Sequence, residues 1–221
     1  RPDMKFYESG DSSKPVIFLF PGTCCLYSSF DHILDRLHSY FYTVTVSYDG
    51  FDPNEKTEFY SMEDECEKIE QEIRKKYGGR IYLVAKIQRK RIHIDHGIIG
   101  SSDMDEAGHL VAKIKSSMVV PFMYKMIHTG ALPKFMQKKL NKTDEVKKEL
   151  YNGFFNMFGI GKGGNPWITK QSIYNQFYSD LVTKVQHGID VPGTTIHVFY
   201  ATKMGEKYEK RYCTYFKNPD I

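Results

Sequence analysis

Several short stretches of this chain carry groups that could do chemistry. His93-Ile94-Asp95-His96 offers two imidazoles and a carboxylate, the ligand types of a transition-metal site. On a strand, alternation puts His93 and Asp95 on one face and His96 on the other, so only two of the three converge and no metal site is expected. Gly159-Ile160-Gly161-Lys162-Gly163-Gly164 has the glycine density of a phosphate loop. It follows a Phe-rich helical stretch rather than a strand, and no Ser or Thr follows Lys162, so a flexible hinge is expected instead. Arg89-Lys90-Arg91 is the one dense basic run, and its shortness fits a solvated connection. Cys24, Cys25, Cys66 and Cys213 have the spacing of neither a zinc site nor a disulfide framework, which predicts reduced thiols in a cytoplasmic protein.

The elements that must position such groups alternate at first. Pro15 to Phe20 is a continuous apolar run of β-formers, as in a strand covered on both faces, and it stops at Pro21-Gly22. Phe30, Ile33, Leu34, Leu37 and Phe41 recur at helical spacing. Tyr42 to Ser47 predicts a second strand, and Ser61 with Asp64 a capped helix whose apolar stripe runs from Met62 to Tyr77. Arg80 to Ala85 and Ile92 to Ile99 predict a third and a fourth strand, with a short edge strand at Lys5 to Tyr7. This order argues for a parallel sheet with helices on its faces. From Asp103 to about Asp190 only helices are predicted, at Met118 to His128, Lys134 to Leu140, Thr143 to Phe158 and Thr169 to His187. Thr195 to Tyr200 returns to strand. The fold class is therefore α/β, a mostly parallel sheet with helices on both faces and a helical lid insertion. Residues 1–102 and 191–221 would form the core and 103–190 the cap.

Composition narrows the function. The 221 residues carry a net charge of +4, with 41% hydrophobic and 26% charged residues, and the cations are interleaved with carboxylates, which argues against a nucleic-acid partner. No apolar run approaches the ~18–20 residues that cross a bilayer. Arg1 to Lys5 is followed by no apolar segment of the kind a signal peptide has, so such a peptide is expected to be absent or removed.

One junction is unusual. Only Lys86 to Arg91 separate the third and fourth predicted strands, whereas a parallel crossover takes about a dozen residues or more. A hairpin is the geometric alternative, but this stretch has no Gly, Asn or Asp for its turn. The expectation is that Ala85 and Lys86 are not covalent neighbours, with roughly 15–20 residues, a tight turn and a crossover helix, belonging between them.

The order of elements, the motif Phe20-Pro21-Gly22-Thr23-Cys24-Cys25 and the lid-like insertion resemble the α/β-hydrolase superfamily, in particular small bacterial serine hydrolases and esterases, over essentially the whole chain. In that family the strand matching Arg80 to Val84 runs into a Gly-x-Ser-x-Gly nucleophile elbow. No such motif occurs in these residues. The family places its His after the last strand; the final histidine here, His197, lies within one, so the resemblance puts the catalytic His outside these residues as well.

The resemblance implies a hydrolase of a small carboxylic ester or similar acyl substrate, working through a Ser-His-acid triad and needing no cofactor. It makes the backbone amides of Thr23 and Cys24 the oxyanion-hole donors, a place that argues against Cys24 as a thiol nucleophile. The acid is Asp103, after the fourth strand, or Glu206, after the strand that follows the lid; either can orient a His. Asp103 could equally cap the following helix. Two alternatives stay open: a catalytically inactive binding module, favoured if the residues expected between Ala85 and Lys86 supply no Ser, Cys or Asp at the elbow, and an acyltransferase on the same scaffold. The lid's Met and Phe residues, among them Met118, Phe122, Phe135 and Phe158, would line an apolar acyl pocket or simply fill a helical layer. Oligomeric state is left open.

Overall fold

A computed structural model describes residues 4–77, 81–84, 94–100, 106–184, 187–190, 193–199 and 206–221. The strands are β1 (Lys5–Ser9), β2 (Val16–Leu19), β3 (Tyr42–Ser47), β4 (Ile81–Val84), β5 (Ile94–Gly100) and β6 (Thr195–Phe199). Their order across one six-stranded sheet is β1-β3-β2-β4-β5-β6. β1 runs antiparallel to β3 at one edge, and the pairings β2–β3, β2–β4, β4–β5 and β5–β6 are parallel. The short edge strand reverses through an Asx turn, in which the Ser13 N–H donates to Asp11 Oδ1 at 2.9 Å.

Seven α-helices and a 3-10 turn at Tyr27–Phe30 are the helical elements of the described residues: α1 (Asp31–His38), α2 (Met62–Lys76), α3 (His109–Thr129), α4 (Lys134–Asn141), α5 (Glu145–Met157), α6 (Lys170–Val182) and α7 (Glu206–Tyr215). Ser61 caps α2 as its spacing predicts, accepting from the Asp64 N–H. Thr169 caps α6 in the same way, accepting from Ser172. α5 is capped by Asp144 rather than Thr143, whose hydroxyl instead bonds back to the Lys139 carbonyl at 2.8 Å. α3 begins nine residues before the predicted Met118, at His109 with Gly108 as its N-cap, carries Pro121 in its interior and ends on Gly130 at φ +69°.

One buried cluster unites the sheet and the helical block. Phe18, Val44, Val46, Ile196 and Val198 meet Ile69 and Ile73 of α2, Tyr212 and Tyr215 of α7, and Val120, Ile127 and Ile173 of α3 and α6. Burying such side chains stabilises by about 1.5–3 kcal/mol each. Not all of the Met and Phe content of the block is interior: Met118 is 74% and Phe135 65% exposed, while Met123 and Phe158 pack on the core. The glycine-rich segment after α5 is pinned rather than hinge-like. The Gly161 N–H donates to Gly130 O at 2.8 Å and the Asn165 N–H to Ile127 O at 2.7 Å. A Cβ on Gly164 would lie 2.4 Å from the His128 carbonyl oxygen, so glycine is required there.

β4 and β5 pair in parallel, which removes the hairpin alternative. The described strands leave nine residues, 85–93, to connect them. That is fewer than a parallel crossover takes, about a dozen residues or more. The Ala85–Lys86 junction itself lies outside the described residues, as do Arg89-Lys90-Arg91 and His93.

Candidate functional site

In a parallel sheet, ligands sit beyond the carboxyl ends of the strands, where the loops converge. The loop from Phe20 to Cys25 leaves β2 at that end. The Cys25 N–H closes on Gly22 O at 3.0 Å, and the turn drives Cys24 to φ +62°. That left-handed conformation costs a non-glycine residue roughly 1–2 kcal/mol, so something must hold it. α6 does. The Cys24 N–H donates to Gln176 Oε1 at 2.7 Å, with both residues buried, and the Thr23 hydroxyl donates to Asp180 Oδ2 at 3.0 Å. One turn earlier, Ser172 Oγ accepts the Phe59 N–H at 3.2 Å and Asn175 donates to the Phe59 carbonyl at 2.8 Å.

This geometry splits the predicted oxyanion pair. The Cys24 amide already faces a carboxamide oxygen, so an acyl oxygen would have to displace Gln176 to reach it. Thr23 is half-buried at the mouth of the loop, its hydroxyl anchored to α6. Burial pushes the Cys24 thiol far above its ordinary range and Cys25 up to about 11, so neither rests as a thiolate nucleophile. Glu206 is the exposed first residue of α7, at the favourable end of its dipole. Asp103 lies outside the described residues.

Two constellations escape the sequence. At the end of β3, Asp49 joins Asp64 and Glu65 of α2, their nearest oxygens all within 4.8 Å of one another. The Lys68 ammonium is their counter-ion: it bonds Asp49, lies 2.5 Å from Asp64 Oδ2 and 3.6 Å from Glu65 Oε1. Glu65 is fully buried; its Oε2 accepts the Asp49 N–H at 3.1 Å, and its Oε1 makes no hydrogen bond. Burial, reinforced by the Asp49 charge and opposed by Lys68, pushes its carboxyl up to about 8. For Lys68, partial burial opposes the charge, but hydrogen bonds to Asp49 and Asp64 raise it above the ordinary lysine range. Elsewhere, β5 and β6 bring His96 Nδ1 and His197 Nε2 to 3.0 Å, and Asp220 Oδ2 lies 2.8 Å from His197 Nδ1. His96 was visible in the His93–His96 stretch; its partner, far along the chain, was not.

No protein-family model and no curated protein matches this sequence. Solved structures do match in shape. An alpha/beta hydrolase family protein from Desulfitobacterium hafniense superposes with a TM-score of 0.71 at 11% identity, over 98% of this chain and 89% of its own. A hydrolase from Pseudomonas aeruginosa gives 0.65 at 12% identity, over 98% and 84%. An esterase from a marine microorganism gives 0.62 at 15%, over 99% and 89%. Strand order, parallel pairing and these superpositions agree, and the chain has the α/β-hydrolase fold.

Proposed function

We propose that this chain binds a small carboxylic ester or similar acyl ligand on a serine-hydrolase scaffold and does not turn it over by a Ser-His-acid route. One observation carries the reading. The loop after β2 that the resemblance makes an oxyanion hole is held by α6, while residues 85–93, which follow β4 where the fold's nucleophile elbow belongs, contain no Ser, Thr, Cys or Asp. An acyl carbonyl would be polarised by the Thr23 amide, and by that of Cys24 only on displacing Gln176; acyl transfer also needs an attacking group and a base within reach of it. The helical block 103–190 would act as the cap over the ligand.

The second reading is a cytoplasmic serine esterase, or an acyltransferase, with Asp103 or Glu206 as the acid. The Pro21-Gly22 turn after β2 and the esterase among the fold's neighbours favour it. A fluorophosphonate probe followed by intact-mass measurement separates the two. The binding module remains unmodified, whereas a serine enzyme gains one adduct that maps to a single hydroxyl. Product analysis with a p-nitrophenyl ester and an added alcohol then distinguishes hydrolysis from transfer.

A further inference from the structure

We propose that His96 and His197 form a two-imidazole site for a divalent transition-metal ion of the zinc class, oriented by Asp220. The site is separate from the acyl-binding loop and does not depend on that reading. β5 and β6 are neighbours in parallel register, His96 opposite Thr195 and Ile98 opposite His197, so the two imidazoles lie on one face, one diagonal step apart. Their rings are 21° from parallel with centroids 5.3 Å apart, and the facing nitrogens are 3.0 Å apart. With metal–nitrogen bonds of about 2.0–2.1 Å, two imidazoles on one ion have nitrogens about 2.9–3.4 Å apart, from right-angled to tetrahedral coordination. The observed spacing falls in that interval, so an ion is accommodated by turning the rings without parting the strands.

Asp220 supplies the outer shell. A carboxylate only accepts, so His197 Nδ1 carries the proton in the 2.8 Å contact and Nε2 presents its lone pair toward His96. That is the tautomer a metal-binding histidine needs, fixed by the carboxylate–histidine pairing that accompanies such ligands. Asp220 is itself held in place: its N–H donates to Ile196 O at 2.9 Å and its carbonyl accepts the Val198 N–H at 2.7 Å. Without an ion, His96 Nδ1 donates its proton to the His197 Nε2 lone pair across the 3.0 Å contact; on binding, His96 shifts to the tautomer protonated on Nε2 and gives Nδ1 to the ion, while waters complete the coordination. The bound ion would staple β5, β6 and the 216–221 segment together.

The test uses the whole chain with metal salts alone. Calorimetry with Zn²⁺ is expected to give one site per chain, and substoichiometric Cu²⁺ to broaden the ring resonances of His96 and His197 before those of the other six histidines. H96Q and H197Q are each expected to lose at least tenfold in affinity. D220N is expected to weaken binding about 10–100-fold, while H32Q, on the exposed face of α1, leaves it unchanged. Unchanged binding in H96Q and H197Q, or equal broadening across all histidines, overturns the proposal. Should a variant fail to fold, the broadening pattern of the wild-type protein decides alone.

Discussion

Glu65 makes stability depend on pH in a direction opposite to most carboxylates. Its folded-state pKa, about 8, lies above the ordinary 4.5 because the group is buried. A raised acid pKa means the folded state holds its proton more tightly than the unfolded chain. The contribution is therefore fully present below pH 4.5 and is lost as pH rises through 8. Between pH 5 and pH 8 linkage gives a loss of about 3 kcal/mol from this one group, at 1.36 kcal/mol per unit. With a urea slope of about 2 kcal/mol/M, that is a fall of roughly 1.5 M in the unfolding midpoint. Glu65→Gln keeps an oxygen acceptor for the Asp49 N–H and cannot ionise. Its midpoint minus that of wild type should therefore grow by about 1.5 M from pH 5 to pH 8, with other titrating groups cancelling in the difference. A difference that stays constant, or shrinks as pH rises, would refute the argument and mean that Lys68 fully compensates the buried anion.

Other outcomes follow from named contacts. Gln176→Ala removes the acceptor of the buried Cys24 N–H and should cost about 1–3 kcal/mol in urea unfolding. Gly164→Ala forces a side chain into left-handed backbone and against the His128 carbonyl, and should lower stability by more than the ~1–2 kcal/mol of the conformation alone. Phe59→Ala empties a fully buried site between Tyr48 and Phe51 and should cost about 3–5 kcal/mol. A thiol reagent should titrate exposed Cys213 at once, Cys66 more slowly, and buried Cys24 and Cys25 only on unfolding; fast reaction of all four would contradict the burial.

Much of this fold was legible because the deciding signals are local. Val16–Leu19 and Tyr42–Ser47 are runs of β-formers, and the Ser61 and Thr169 caps act on amides three residues away. Errors came where local rules compete. The first turns of α3, His109–Ser117, gave no clear signal because their buried residues are the small Ala112 and Ser116 while Leu110, Val111 and Ile114 are exposed. α7 was unread because half of Glu206–Tyr215 is charged, and its signal is three aromatic residues, of which Tyr212 is fully buried. The turn after β2 was legible from Pro21-Gly22, but not the bond from its Cys24 amide to Gln176, which depends on how α6 docks. The His96–His197–Asp220 array was hidden for a similar reason: strand order makes those residues neighbours, and periodicity carries no information about which strands pair.

The central claim, an acyl site without a serine nucleophile, is tested most directly by adding p-nitrophenyl butyrate to ¹⁵N-labelled protein. Amide spectra and nitrophenolate absorbance would be followed together. The account predicts a saturable shift of the Thr23 amide with release no faster than in buffer. Catalysed nitrophenolate release with a butyryl adduct on a serine, or no response at Thr23 at any concentration, would contradict it.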